Sequence, residues 1–269
     1  MHELLFGIRA KIERADELIK NLNTEISAFF ASDPPPYIVS HEFQKNFTEY
    51  IFLVREAKPV PLRFAVLAGE ILHQLASSLD HLFCALVTIN GKTVEKRHYF
   101  PVYTKAQEFR KACKKGAIED VSPSAQDIIR SVQPYTASKP RDTILAVVRE
   151  LNAIDKHRLP ILLASTGRLG SQVTVGGSGK DASGNVPSIV GFGEAAAVAI
   201  GKENKEFFRI RLGSPEPDFE AKTDIAPTIA FAQCGNTKMV SVVDELPKML
   251  AGVVNTINLF HREFDAKTF

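Results

Sequence analysis

At 269 residues, with 45% hydrophobic and 24% charged side chains, the chain has the composition of an ordinary soluble protein, long enough for one large domain or two modest ones. A net charge of only +2 argues against a protein that coats nucleic acid over its whole surface. Three widely separated cysteines, Cys84, Cys113 and Cys234, with no Cys-x-x-Cys pair, argue against a disulfide framework or a cysteine zinc site and fit a reducing cytoplasm.

Residues 3 to 31 place Leu5, Ile8, Ile12, Ala15, Ile19, Leu22, Ile26 and Phe29 at alternating spacings of three and four, which predicts an amphipathic helix of bundle or coiled-coil type. Asp33-Pro34-Pro35-Pro36 stops it. The β-branched and aromatic runs Tyr37 to Phe43 and Tyr50 to Arg55, broken by Gln44-Lys45-Asn46, read as a hairpin.

Pro59 and Pro61 lead into Leu62 to Ile89, whose only formal charges are Arg63, Glu70 and Asp80. This is the central helix. Its apolar residues Ala68, Ile71, Leu75, Leu79, Leu82 and Leu86 gather on one side, and Glu70, His73, Ser77, Asp80, His81 and Cys84 on the other. A nearly buried helix thus carries one polar stripe. It has too many polar groups to sit in lipid, and no signal pattern opens the chain, so a cytoplasmic protein with no membrane partner is expected.

Beyond Asn90-Gly91, Thr104 and Gln107 suit a capping box for a short helix through about Lys115, and Ser122-Pro123 starts another that ends near Gln133-Pro134-Tyr135. Asp142 to Arg158 reads as a helix capped by Asp142, with Ile144, Val147, Val148, Leu151 and Ile154 on its core face. Asp155 and Arg158 fall on that same face, while Lys156 and His157 point elsewhere. After Pro160 the helical period disappears, and eleven of the sixteen glycines lie between Gly167 and Gly235. Ile161 to Ser165, Gln172 to Val175, Phe207 to Leu212, Ile225 to Ala232 and Met239 to Val243 are the expected antiparallel strands. Gly176-Gly177-Ser178-Gly179 and Gly184-Asn185 are the expected loops. A last helix carries Pro247 in its first turn and the stripe Leu250, Val253, Ile257, Phe260 and Phe264.

Gly177-Ser178-Gly179-Lys180 lacks the first glycine and the Ser or Thr of a Walker loop, and Gly191-Phe192-Gly193 lacks the third glycine of a dinucleotide fingerprint, so both read as turns. There is no Gly-x-Ser-x-Gly elbow and no His-Glu-x-x-His helix.

Two polar constellations remain. Burying an unpaired carboxylate or guanidinium costs on the order of several kcal/mol. Asp155 and Arg158 therefore need partners, and Glu70, His73, Asp80 and His81 on the central helix offer them. This predicts a contact between the two helices, either a structural ion-pair network or a functional site. Separately, residues 92 to 115 hold Lys92, Lys96, Arg97, Lys105, Arg110, Lys111, Lys114 and Lys115 against Glu95 and Glu108, a local excess of six positive charges. Lys96, Arg97, His98, Tyr99 and Tyr103 interleave cations with rings suited to stacking on unpaired bases, and Arg110, Lys111, Lys114 and Lys115 suit phosphates. A solvated helix face has the same composition.

The segment GEILHQLASSLDHLF, followed by FPVY, QPY and LNAIDKHR, resembles a large group of uncharacterised bacterial proteins in which a Leu-Arg-Ser-Ala-Leu-Asp-His helix precedes an Ile-Asp-Lys-His-Arg helix. That group is in turn similar to the HEPN superfamily of helical nucleotide-binding and ribonuclease domains. The resemblance covers Leu62 to Arg158. It implies a helical bundle, a dimer, RNA or nucleotide as partner, a stress or defence setting, and, in catalytic members, an Arg four to six residues before a His. His81 matches the histidine, but Ala76 stands at the arginine position. Metal-independent RNA cleavage needs one group to move the 2'-hydroxyl proton and a cation to stabilise the phosphorane-like charge; His suits the first role and Arg the second. Arg158 is then the candidate cation, and without one the chain binds RNA without cutting it.

The expectation is an α+β protein: a HEPN-like antiparallel helical bundle over 1–159 and 244–269 with a small hairpin at 37–55, and a glycine-rich antiparallel β region at 160–243 before the C-terminal helix. Candidate catalytic residues are His81, Asp80, Arg158, Asp155 and His73; candidate nucleic-acid contacts are Lys96, Arg97, Tyr99, Tyr103, Arg110, Lys111, Lys114 and Lys115. No cofactor or metal is expected. The alternatives are a structural or interaction protein that dimerises through its helices and, less favoured, a metal-dependent enzyme using His73, Asp80 and His81 with Asp155 or His157.

Overall fold

The computed structural model of the chain describes residues 2–157, 162–165, 172–175, 189–192, 198–215, 219, 221–224 and 227–265. They form an α+β protein of two compact units. The helical unit takes Met1–Asn23, Leu62–Ile161 and Ala232–Phe269; the β-rich unit takes Thr24–Pro61 and Leu162–Phe231. Among the described residues no helix is long and apolar enough to cross a membrane.

The helical unit opens with most of helix α1 (His2–Phe30), whose stripe residues Ile8, Ala15, Ile19 and Leu22 are buried. Its centre is α2 (Leu62–Ile89), with the bounds read from the sequence and sixteen buried residues spread around most of its circumference. α2 packs chiefly on α5 (Ile144–Asp155) and on α6 (Val242–Asn258), and these two also pack on each other. Between them the chain runs through α3 (Ala106–Cys113), α4 (Pro123–Ser131) and two 3-10 turns, Pro134–Thr136 and Pro140–Asp142; α7 (His261–Asp265) closes the unit.

The ends of these helices follow local chemistry, with three corrections. Ser122 caps α4 as expected, accepting from the Ala125 amide at 3.1 Å with Pro123 in the first turn. The Thr104–Gln107 capping box does not form: Lys105 holds the N-cap position of α3 and caps nothing with its side chain. Asp142 does not cap α5. Thr143 stands at that N-cap, and the Asp142 carboxylate accepts instead from the Asn236 amide at 2.8 Å. Finally, α6 begins well before Pro247, because Ser241 accepts from the Asp244 amide and Asp244 and Glu245 suit the positive end of the helix dipole.

The β-rich unit holds β1 (Tyr37–Gln44), β2 (Glu49–Glu56), β3 (Leu162–Ser165), β4 (Gln172–Val175), β5 (Ile189–Phe192), β6 (Lys205–Leu212), β7 (Ala221–Asp224) and most of β8 (Thr228–Cys234). β1 and β2 form the expected hairpin, but it does not belong to the helical domain. β2 also pairs antiparallel with β6, giving a sheet of order β1-β2-β6-β5, so the β-rich unit draws on two stretches of chain rather than one insertion. The reason is the burial of β2: Tyr50, Ile51, Phe52 and Val54 are all enclosed, on both faces, as a central strand requires. β3 pairs with β8 and β4 with β7, both antiparallel. After a turn at Gly235-Asn236, β9 (Thr237–Ser241) leads into α6. β5 and β7 were not expected. Gly191 and Phe192, read as a turn, lie in β5 opposite Arg211 and Ile210. The loops at 176–179 and 184–185, with Lys180, lie outside the described residues.

Glu49 is buried at the start of β2 and is surrounded by Lys45, Arg209 and Arg211. The Lys45 ammonium first, and Arg209 with it, hold its carboxyl below the usual range. A depressed carboxylate contributes stability that is present above its unfolded pKa and is lost as pH falls through the folded value. Glu49→Gln is therefore expected to lower Tm at neutral pH, with the gap to wild type closing as thermal melts are taken down through the acid range. A gap constant with pH would remove the charge from the explanation.

Candidate functional site

The polar stripe of α2 is real and mostly accessible. Glu70, His73 and His81 are exposed, Ser77, Asp80 and Cys84 are half-buried, and Ala76 is enclosed at 2% exposure. α5 meets the stripe as expected and runs antiparallel to α2, since Asp155 packs at Gly69 and Arg149 at Asp80.

At the first of these contacts, the absence of a side chain on Gly69 admits the Asp155 carboxylate; a Cβ there would collide with its Oδ1. Burial pushes the Asp155 carboxyl up, His73 opposes the shift, and Glu70 adds to it. The partnering expected for Asp155 is thus only electrostatic: it forms no hydrogen bond or ion pair among the described residues. Arg158 lies outside them, and Lys156 and His157 are exposed as the helical period requires.

The second contact brings in an arginine that sequence reasoning passed over. Asp80 Oδ1 accepts from the Phe100 amide at 3.0 Å and lies 3.5 Å from Arg149 Nη1. The Arg149 guanidinium sits 5.4 Å from the centroid of the Tyr99 ring, in cation–π range. Arg149 is the sole basic residue of α5, and that isolation in an apolar helix was the available signal. His81, one residue after Asp80, faces a different neighbour: a Cβ on Gly7 of α1 would stand 2.8 Å from its Nδ1. His81 is therefore not gathered with Asp80, Arg149 and Asp155. Among the described residues no group of three His, Cys, Asp or Glu side chains is placed to hold a metal. The His73, Asp80, His81 set fails because Asp80 is committed to Phe100 and Arg149 while His81 turns to α1.

Asp80 is one end of a clasp. The buried Gln133 side-chain Nε2 donates to the Pro101 carbonyl at 2.8 Å; Gln133 Oε1 in turn accepts from the Tyr103 amide at 3.0 Å. The Tyr135 amide donates to the Tyr103 carbonyl at 3.2 Å. The FPVY and QPY segments are thus bound to each other and to α2, and this fixes how Tyr99 and Tyr103 are presented.

Two members of the basic segment are tied into this scaffold. Arg97 donates to Glu95 at 3.0 Å, to the Gly116 carbonyl at 3.2 Å and to Asp120. His98 is buried, with Nδ1 accepting from the Glu95 amide at 2.9 Å and Nε2 3.1 Å from Asp120. His98 first, then Arg97, hold the Asp120 carboxyl below its usual range. His98 is consequently no stacking ring.

A cleft lies beside them, lined or flanked by Arg97 and the remaining members. Its volume is about 200 Å³, with Arg97, Tyr99, Tyr103 and Lys115 around it and Pro101, Ala112 and Ala117 completing the lining. Tyr99 is 45% exposed. Tyr103 is half-buried against Phe109, whose ring centroid lies 5.8 Å away. Burial, then the neighbouring Tyr99, push the Tyr103 phenol up. Lys96, Arg110, Lys111, Lys114 and Lys115 are exposed and make no ion pair among the described residues, whereas Lys105 pairs with Glu108 at 3.0 Å.

Comparison with known proteins finds no matching family model, no matching curated protein and no matching solved structure.

Proposed function

We propose that this chain binds single-stranded RNA or a nucleotide through the tyrosine-lined cleft beside α2, as a HEPN-like helical bundle that holds the strand without cutting it. One observation carries the reading: Tyr99 and Tyr103 line a cleft that also holds Lys115, on a segment where Lys96, Arg110, Lys111 and Lys114 are likewise exposed and make no ion pair among the described residues. Aromatic faces suit unpaired bases of any sequence, and unpaired lysines suit the phosphates between them.

Several features favour binding over cleavage. Ala76 supplies no cation, and its place in the core leaves little room for one to act on a strand. Asp80 is occupied, and His81 lies with α1 rather than with Arg149. The alternative of a protein that dimerises through the first helix is less favoured, because Ile8, Ala15, Ile19, Leu22 and Ile26 of the α1 stripe are buried in the chain itself. A homodimer built on another face remains part of the proposal, as does the stress or defence setting implied by the resemblance.

Fluorescence anisotropy with a labelled single-stranded RNA is expected to show binding at low ionic strength, with log Kd rising linearly with log salt. Total RNA is expected to stay intact in the presence of wild type and of His81→Ala alike. Absence of binding at low salt would remove the reading. Scission by wild type that His81→Ala abolishes would turn the binder into a ribonuclease.

A further inference from the structure

We infer that the cleft seats one unpaired nucleobase, stacked on Tyr99, and that Arg149 positions that ring from behind. The inference rests on the nucleic-acid reading above and narrows its ligand to a base free of its partner strand.

Size limits the occupant. At about 200 Å³ the cleft is smaller than the roughly 300–1,000 Å³ typical of sites that enclose a whole small molecule. One planar ring fits that scale, and its sugar and phosphate must stay outside. The lining agrees with this division: Pro101, Ala112 and Ala117 offer small apolar contacts, and the two phenols can donate to or accept from a base edge. Lys115 lies at the cleft, and Lys111 and Lys114 continue the cationic run outside it.

Tyr99 is held for this role by a relay across the unit. Arg149 stacks on the Tyr99 ring yet does not line the cleft, so the guanidinium backs the ring and leaves its other face for a ligand. Arg149 is itself held 3.5 Å from Asp80, and Asp80 anchors the backbone next to Tyr99 through the Phe100 amide at 3.0 Å. The polar stripe of α2 therefore reaches the cleft through Arg149. A ring already fixed loses little freedom on binding, and a cation behind it leaves the open face to a neutral base. Bases inside a duplex are stacked and paired, so a duplex meets this seat only where a base is extruded.

The test uses the full chain with three probes: uridine monophosphate, a short oligouridylate, and a blunt RNA duplex of the same length. The sequence has no tryptophan and five tyrosines, two of them in the cleft, so the difference in tyrosine emission between wild type and Tyr99→Ala reports on the cleft. Oligouridylate is expected to bind well above the duplex. Tyr99→Ala should weaken it by about 5- to 100-fold, the range of one lost stack, with the salt slope unchanged. Tyr99→Phe restores the ring and should recover most of the loss. Arg149→Met should weaken binding with the slope again unchanged, and Arg149→Lys should recover part of it. Circular dichroism melts establish that each variant folds.

Equal affinity for duplex and single strand, or full affinity in a folded Tyr99→Ala, would overturn the base seat while leaving salt-dependent RNA binding in place. A slope that drops on Arg149→Met would make Arg149 a phosphate contact and overturn its positioning role. Conversely, Tyr99-dependent quenching by uridine monophosphate without oligonucleotide binding would uphold the seat and remove the RNA reading. No binding of any probe would remove both.

Discussion

Replacing Lys111, Lys114 and Lys115 together with glutamine is expected to lower affinity for single-stranded RNA on the order of 100-fold at about 50 mM salt. Each lysine that neutralises a phosphate releases condensed counterions, and for a single strand each such contact contributes about 0.7 to the slope of log K against log salt. Removing three lowers that slope by roughly 2, which at low salt translates into a loss of this size. The three residues are exposed and make no ion pair among the described residues, so their removal leaves no buried carboxylate unpaired. Melting temperature should stay close to wild type, since surface substitutions of this kind change stability by within about 0.5 kcal/mol each. A charge-matched control, glutamine at the exposed Lys202, Lys205 and Lys238, keeps net charge equal while sparing the segment. If both triple variants lose affinity equally, the effect is one of net charge and the cleft is not the interface.

Phe83→Ala should destabilise the helical unit by about 3–5 kcal/mol, the cost of emptying a large buried aromatic site. Phe83 is 1% exposed on α2, and its ring centroid lies 6.1 Å from that of the buried His98. The lost ring leaves a cavity beside the residue that ties Glu95 to Asp120, so the strap carrying Tyr99 and Tyr103 loses its support. At roughly 2–4 °C per kcal/mol for a unit of this size, Tm should fall by about 10 °C. Urea titration should move the midpoint without changing the slope, and RNA affinity should fall in the same variant. Thr88→Ala, exposed one turn further along α2, is the comparison expected to change little. Unaltered stability in Phe83→Ala would mean that the strap is held by its hydrogen bonds alone.

Much of the secondary structure was legible because it depends on near neighbours in the chain. The bounds of α2 came from prolines before it, Asn90-Gly91 after it, and a long apolar period between. Ser122-Pro123 announced α4 for the same reason: a hydroxyl cap and a proline act within one turn. Where two readings competed locally, the wrong one was sometimes taken. Asp142 suits a cap, but an amide ninety-four residues away claimed its carboxylate. Gly191 suits a turn, but β6 offered it a ladder. The short polar run of β7 carries no alternation to read.

The site divides in the same way. That α2 carries a polar stripe, that α5 meets it, and that cations and tyrosines share residues 92 to 115 are all consequences of residue order and helical period, and the sequence by itself determined them. What each side chain does was decided only by the tertiary structure. His98 looked like a stacking ring and is a buried tie; Arg97 looked like a nucleic-acid contact and is held by Glu95 and Asp120. Arg149, which the helical period did not single out, is the cation that joins Asp80 to Tyr99. The physical reason is that a charge has the same local signature whether it is solvated or paired. Its role depends on whether a partner and burial reach it from distant parts of the chain, and only the packing of α2, α5 and the strap between them supplies both.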